Sequence, residues 1–150
     1  MKNNHTWVIC AYGESEFLEA CILSLQAQTL QSKIICYSST PLDSIKQLCQ
    51  KYGIPFYTKE GGGIGKDWNN ALSFVETSYA TIAHQDDYYE PTYLEAVMQK
   101  IEQSKDILIA YTDYFEEKNG VKIPANTNLK IKTLMLKTCL LYTSPSPRDR

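Results

Sequence analysis

Nowhere in these 150 residues is there an apolar run of the roughly 20 residues that a membrane-spanning helix needs. Nor does the opening Met1-Lys2-Asn3-Asn4-His5 carry the apolar stretch of a secretory signal, so a cytoplasmic location is the expectation. Cysteine is present five times but never as a Cys-x-x-Cys pair; positions 10, 21, 36, 49 and 139 stand singly, several inside apolar stretches. That spacing argues against a thiolate zinc site and suits buried free thiols in a reducing compartment. Positive charge is not in excess either. With 15 Lys and Arg against 17 Asp and Glu the net charge is -2, which leaves no basic face for an extended nucleic-acid footprint, although a small anionic ligand can still bind locally. There is no internal repeat, no Gly-Lys-Ser/Thr ending of a P-loop and no Gly-x-Gly-x-x-Gly.

What is present is the composition of one soluble globular domain: 43% hydrophobic residues, 21% charged and a mean hydropathy of -0.33. Trp7–Ala11 is a short apolar run predicting a strand, and Ser15, with Glu16 and Glu19 behind it, is a candidate cap for a helix carrying Phe17, Leu18, Cys21, Ile22 and Leu25. Lys33–Tyr37 predicts a second strand and Asp43 to Tyr52 a helix stopped by Gly53 and Pro55. Ile54–Tyr57 predicts a third strand. Gly61–Gly65 is then a loop into a helix with Trp68, Ala71, Leu72 and Val75 on one side. A fourth strand, Tyr79–Ala83, ends at His84-Gln85-Asp86-Asp87; a helix follows Pro91, and Asp106–Thr112 supplies a fifth strand. Such alternation predicts an α/β fold, a mostly parallel Rossmann-like sheet with helices on both faces and ligands beyond the carboxyl ends of the strands.

Polar groups interrupt the pattern at those ends: Tyr12-Gly13 after the first strand, Ser38-Ser39 after the second, and His84 to Asp87 after the fourth. Paired oxygen ligands suit Mg²⁺ or Mn²⁺, which complete their shell with water and phosphate oxygens, so a metal diphosphate is a natural guest for Asp86 and Asp87. The alternative is that the two aspartates open a turn and cap the following helix. His84 is a third candidate ligand, although a lone histidine at a strand end is more often a hydrogen-bonded structural residue. The glycine loop reads as a mobile connector more readily than as a phosphate cradle. Tyr88, Tyr89 and Tyr93 suit either stacking on a sugar or base or packing on the sheet, and for Trp68 core packing is favoured.

Taken in order, Val8-Ile-Cys-Ala-Tyr-Gly13, Ser24-Leu-Gln-Ala-Gln-Thr29, the glycine loop into Lys66-Asp-Trp-Asn69, and Ile82-Ala-His-Gln-Asp-Asp-Tyr-Tyr-Glu-Pro91 resemble the family 2 glycosyltransferases from about Trp7 to Phe115. The resemblance implies the GT-A nucleotide-diphospho-sugar transferase fold, incomplete at its C-terminus. It also implies a nucleotide-diphosphate sugar donor, a saccharide or lipid-linked acceptor and a divalent metal on the donor diphosphate. Carried over by position, Tyr12 and Gly13 border the nucleotide, Ser38 and Ser39 stand where an Asp pair contacts the base, and Asn69 stands at the Asn of Ala-Arg-Asn. Asp86 is the second Asp of Asp-x-Asp, with His84 in place of the first and Trp68 in place of the Arg. Asp67 and Gln85, inside the matched motifs, complete the expected donor-binding set. The His-Gln-Asp-Asp form resembles a subgroup of bacterial enzymes, which implies synthesis of surface polysaccharide or glycoconjugate.

Cys139 to Asp149 resembles the translation of a transposase adapter from a sequencing library. The expectation is therefore a nucleotide-sugar-binding part over residues 1–138 and a disordered, adapter-derived tail over 139–150. The catalytic base is expected beyond Thr138, so the chain alone should not turn over, and membrane association of a longer parent stays open. Three rivals remain. A zinc amino-sugar deacetylase has a His-Pro-Asp-Asp motif, but after its first strand. A phospho-receiver domain has its acidic pair where this chain has Tyr12-Gly13. A non-catalytic nucleotide-sugar-binding module differs from the enzyme only in the chain beyond Thr138.

Overall fold

A computed structural model describes residues 4–103, 109–110, 112 and 114–124. They fall into two compact units, the first ending at Lys105 and the second beginning at Asp106. In the first, β1 (His5–Cys10), β2 (Lys33–Tyr37), β3 (Phe56–Tyr57) and β4 (Tyr79–His84) alternate with α1 (Leu18–Gln26), α2 (Asp43–Lys51), α3 (Ile64–Leu72) and α4 (Tyr93–Glu102). The strands form one parallel sheet in the order β3-β2-β1-β4. The chain steps outward from β1 through β2 to β3, then crosses back to the free side of β1. That reversal is the switch point beside which such sheets open a crevice at their carboxyl ends.

Alternation along the strands gives each face its own core. Trp7, Ile9 and Ala11, with Cys36 and Ala83, pack against Leu18, Ile22 and Leu25 of α1, Ile45 and Cys49 of α2 and Leu94 of α4. Val8, Ile35 and Tyr37 face the other way, against Ala71 of α3 and the neighbouring Phe74 and Val75. Three helices thus cover one face and one covers the other, as the alternation predicts. Cys21, Cys36 and Cys49 are buried free thiols; burial drives the Cys21 thiol up to about 12.

Several boundaries differ from the sequence reading. Ser15 does not cap α1: its Oγ accepts the Phe17 N–H at 3.2 Å in a preceding turn, and the helix starts at Leu18. The third strand is two residues long because Gly53 and Ile54 belong to the end of α2. Gly53, at φ +65°, donates to Gln50 O and Ile54 donates to Cys49 O, the paired bonds of a Schellman closure. The helix begins inside the glycine segment, at Ile64, and stops at Leu72, so only Ala71 of the expected apolar stripe is fully buried. In the second unit β5 (Phe115–Lys118) and β6 (Val121–Pro124) form an antiparallel hairpin. Its two-residue turn, Asn119-Gly120, has both φ angles positive, at 54° and 74°, as a type I′ turn demands. The expected fifth strand, Asp106–Thr112, lies mostly outside the described residues, and the expected tail 139–150 wholly so.

Candidate functional site

The register places Cys10 beside Tyr37 on one flank and His84 on the other. These three side chains form one row near the carboxyl ends of β2, β1 and β4, on the face that α3 covers, and they floor a cleft of about 590 Å³. Tyr12 and Ser39, each two residues further along its strand direction, continue the same face into the cleft wall. The opposite wall is Gly61–Gly63 with Asp67 and Trp68 from the first turns of α3.

Asp67 is the hub of that wall. Its Oδ2 accepts from Ser39 Oγ at 3.1 Å, and its Oδ1 lies 3.4 Å from the Tyr37 hydroxyl. That hydroxyl accepts from Asn70 Nδ2 at 3.1 Å and shares its own proton between Asp67 and Lys59 O, 3.3 Å away. Burial raises the Tyr37 hydroxyl pKa and pushes the Cys10 thiol up to about 11, the latter with help from the Asp67 charge. Both groups are therefore neutral near pH 7, leaving Asp67 as the one acidic residue lining the cleft among the described residues.

The glycine loop is fastened rather than loose. Asn70 Nδ2 donates to Glu60 O at 3.1 Å and Lys66 Nζ to Gly61 O at 3.0 Å. A methyl group on Gly61 would lie 2.7 Å from Ser39 Cβ and 3.0 Å from Asp67 Oδ1, so the backbone reaches this wall only because no side chain intervenes. Gly61→Ala is expected to lower the unfolding free energy by about 1–3 kcal/mol, the cost of overpacking. Gly65→Ala, a helical position with open space around it, should instead raise it by about 0.4–1 kcal/mol. Urea denaturation of the two variants checks the pair.

Between the strand ends the loops are tied by side chains. Gln85 Nε2 donates to Tyr12 O at 2.8 Å while its Oε1 accepts the Tyr12 N–H at 3.2 Å, so its amide continues the β1–β4 ladder past the last strand residue. Thr40 Oγ1 accepts the Gly13 N–H at 3.0 Å, and Ser38 Oγ accepts the Thr40 N–H at 3.1 Å. Of the predicted donor-binding residues, Tyr12, Ser39 and Asp67 therefore line the cleft, as does His84. Ser38 is fully buried and closes a turn; Gly13, at φ +65°, contributes backbone; Gln85 holds Tyr12 in place. Asn69 is exposed on α3 and is not among the lining residues.

Sequence reasoning missed Cys10, Tyr37, Thr40 and Asn70, all polar or small groups adjoining residues it did select. Trp68, expected in the core, is 36% exposed in the cleft wall, its ring inclined at 61° to that of His84 with the centroids 5.6 Å apart. Tyr89 and Tyr93 pack on Trp7, whereas Tyr88 is exposed.

Asp86 and Asp87 follow β4 in an exposed turn whose Asp87 N–H donates to His84 O at 3.1 Å. Asp87 Oδ2 lies 3.4 Å from the Tyr89 hydroxyl. Neither aspartate precedes α4 closely enough to cap it, since that helix starts after Thr92. Among the described residues no three His, Cys, Asp or Glu side chains are gathered to cage a metal ion, so His84, Asp86 and Asp87 do not form a closed ligand set.

The same fold occurs in a solved structure of known kind. The crystal structure of TarS from S. aureus superposes with a TM-score of 0.59 at 20% identity, over 66% of this chain and 19% of that one, which establishes a common fold. Glycosyltransferase GlyA of Streptococcus pneumoniae serotype 4 is 24% identical over 123 residues, 77% of this chain and 18% of its own length. This chain thus spans less than a fifth of either relative. The sequence profile described as glycosyl transferase family 2 matches residues 6–146, from the first strand past Thr138. With that match running over nearly its whole length, the chain belongs to the family 2 glycosyltransferases.

Proposed function

We propose that this chain holds the donor-binding part of an enzyme that moves a sugar from a nucleotide diphosphate to a hydroxyl of a saccharide or lipid-linked acceptor. The observation that carries this reading is the cleft at the carboxyl ends of β2, β1 and β4, built in a chain of this family. It crosses the strand order at its switch point, where a nucleotide can lie along the sheet edge. GlyA, a glycosyltransferase of Streptococcus pneumoniae, supports a bacterial setting, and synthesis of surface polysaccharide or glycoconjugate is part of the proposal.

No lysine or arginine lines the cleft among the described residues, so a bound diphosphate needs its charge met from elsewhere. The exposed carboxylates of Asp86 and Asp87 fit a divalent cation, Mg²⁺ or Mn²⁺, of the kind held by one or two protein oxygens with phosphate and water making up the rest. His84, on the cleft side of the same turn, is a third donor within the segment. When bound, the cation would neutralise charge on the departing nucleotide diphosphate. Tyr12 and Trp68 supply aromatic surface to the guest, Gln85 fixes the Tyr12 backbone, and Asp67 and Ser39 offer hydrogen bonds. The base that deprotonates the acceptor is assigned beyond Thr138, so the chain should bind donor without transferring sugar.

The test is calorimetric titration of the chain with nucleotide-diphosphate sugars in Mn²⁺ and again after chelation. At least one donor should bind, and removing the metal, or the double substitution Asp86→Asn with Asp87→Asn, should weaken it by at least about tenfold, a charge-pairing effect on the order of 1.4 kcal/mol. Binding indifferent to metal would remove the cation from the account. No binding by any donor would remove the donor site itself.

A further inference from the structure

The run Ser24-Leu-Gln-Ala-Gln-Thr29, at the end of α1, contributes nothing to the cleft lining, yet three of its residues bond to the segment between β4 and α4. Ser24 Oγ accepts the Tyr89 N–H at 3.2 Å while donating to Cys21 O at 2.7 Å. Gln28 Nε2 donates to Glu90 O at 2.9 Å and to Ser24 O at 3.1 Å, and its Oε1 accepts the Leu94 N–H at 3.0 Å. The Thr29 N–H donates to Pro91 O at 2.8 Å and its hydroxyl to Glu95 Oε2 at 2.8 Å. One helical turn earlier, the Cys21 thiol donates to His84 O at 3.3 Å. The segment is thus fastened at His84 and again from Tyr89 to Glu95. Asp86, Asp87 and Tyr88 are the short exposed span between those anchors.

Gln28 is the centre of this clamp. It is 2% exposed, and its amide bonds to both α1 and the segment before α4. It also serves the start of α4, where Thr92 makes no side-chain cap, by accepting one of the N–H groups that a helix leaves unpaired there. An apolar side chain in its place would leave the Leu94 N–H without that acceptor and release Glu90 from α1. We infer that Gln28 is a positioning residue for the Asp86-Asp87 turn, holding the two carboxylates in the arrangement that a divalent cation meets. The inference rests on the cation reading above. A ligand that needs an arrangement populated only part of the time binds more weakly by that fraction, and a turn clamped at both ends keeps the fraction near one.

Mn²⁺ alone is the probe. In ¹H–¹⁵N spectra of the 150-residue chain titrated with Mn²⁺, paramagnetic broadening should centre on the amides of Asp86, Asp87 and Tyr88, and its concentration dependence gives the affinity. Gln28→Met, close in length but without the amide, should weaken Mn²⁺ binding by about fivefold or more at a temperature where its spectrum is that of a folded chain. Ile45→Val, a trim in the core on α2, should lower the melting temperature yet keep the affinity within about twofold of the parent, which separates positioning from stability. Ser24→Ala, which removes the acceptor of the Tyr89 N–H and suits a helix, should weaken Mn²⁺ by about threefold, and it decides the matter if Gln28→Met does not fold. If the parent binds at the turn and each folded clamp variant stays within about twofold of it, Gln28 does not position the carboxylates and the cation reading stands. If Mn²⁺ does not bind the parent, or broadens residues away from the turn, the cation reading falls and takes the inference with it.

Discussion

Trp7→Ala is expected to lower the unfolding free energy by about 3–5 kcal/mol, the usual cost of truncating a fully buried tryptophan. Trp7 is wholly buried in β1, its ring 4.8 Å from that of Tyr89, 5.7 Å from Tyr93 and 5.2 Å from the His5 imidazole. Tyr89 and Tyr93 bracket the segment between the Asp86-Asp87 turn and α4, so the loss should also loosen the side of the cleft assigned to the metal. Against a typical total of about 5–15 kcal/mol, a change of this size removes a large part of the stability. Trp7→Phe should cost less than half as much. It keeps most of the apolar surface and removes the indole Nε1, a buried donor without a hydrogen-bond partner. Urea denaturation of both variants followed by circular dichroism gives the comparison.

Stability should also fall as the solution is acidified from pH 6.5 to 4, by up to about 3 kcal/mol from His5 alone. Burial holds the His5 imidazole at about 4, against an ordinary value of 6.5. Its ring partners are neutral. Ser32 Oγ donates to His5 O at 2.6 Å, which leaves its oxygen to accept from Nδ1–H at 2.9 Å, while Nε2 accepts from Thr81 Oγ1 at 2.9 Å. The unfolded chain takes up a proton on this histidine near pH 6.5 and the folded chain only near 4, so protons favour the unfolded state throughout that window. The contribution is fully present above pH 6.5, shrinks as pH falls, and changes no further below 4. Melting temperatures from pH 7 to 4 should therefore decline more steeply in the parent than in His5→Asn. Equal slopes would show that the buried imidazole is not the titrating group.

The sheet was legible because parallel strands buried on both faces read as short, nearly continuous apolar runs, and His5–Cys10 and Lys33–Tyr37 are such runs. Helix ends were less so. Ser15 has the right side chain for a cap, but capping depends on where the backbone turns, and it turns three residues later. Trp68 was misplaced because a 3.6-residue stripe reports which side of a helix is apolar without reporting how far the sheet extends beneath it. Here α3 overhangs the strand ends and its first turns face the cleft. Strand alternation carried two residues onward would have separated Ser38 from Ser39, since only the latter shares a face with Tyr37. Asn69 and Asn70 differ by one helical position, about 100° of rotation, and no pattern in a single sequence tells which of them meets Tyr37. The Asn119-Gly120 dipeptide is itself a hairpin signal, and the sequence reading, which ended at the run 106–112, did not draw the hairpin from it.

The central claim is that the cleft between the glycine loop and the ends of β2, β1 and β4 receives the nucleotide donor. Its two tryptophans make a direct test possible, since Trp68 stands in the cleft wall and Trp7 in the core. In ¹H–¹⁵N spectra recorded while a binding nucleotide-diphosphate sugar is titrated in with Mg²⁺, the Trp68 indole N–H and the amides of Ser39, Gly61–Gly63 and Asp67 should shift together along one binding curve. The Trp7 indole should stay in place. Shifts confined to residues outside the cleft, or a Trp68 signal that stays fixed at saturating donor, would contradict the account.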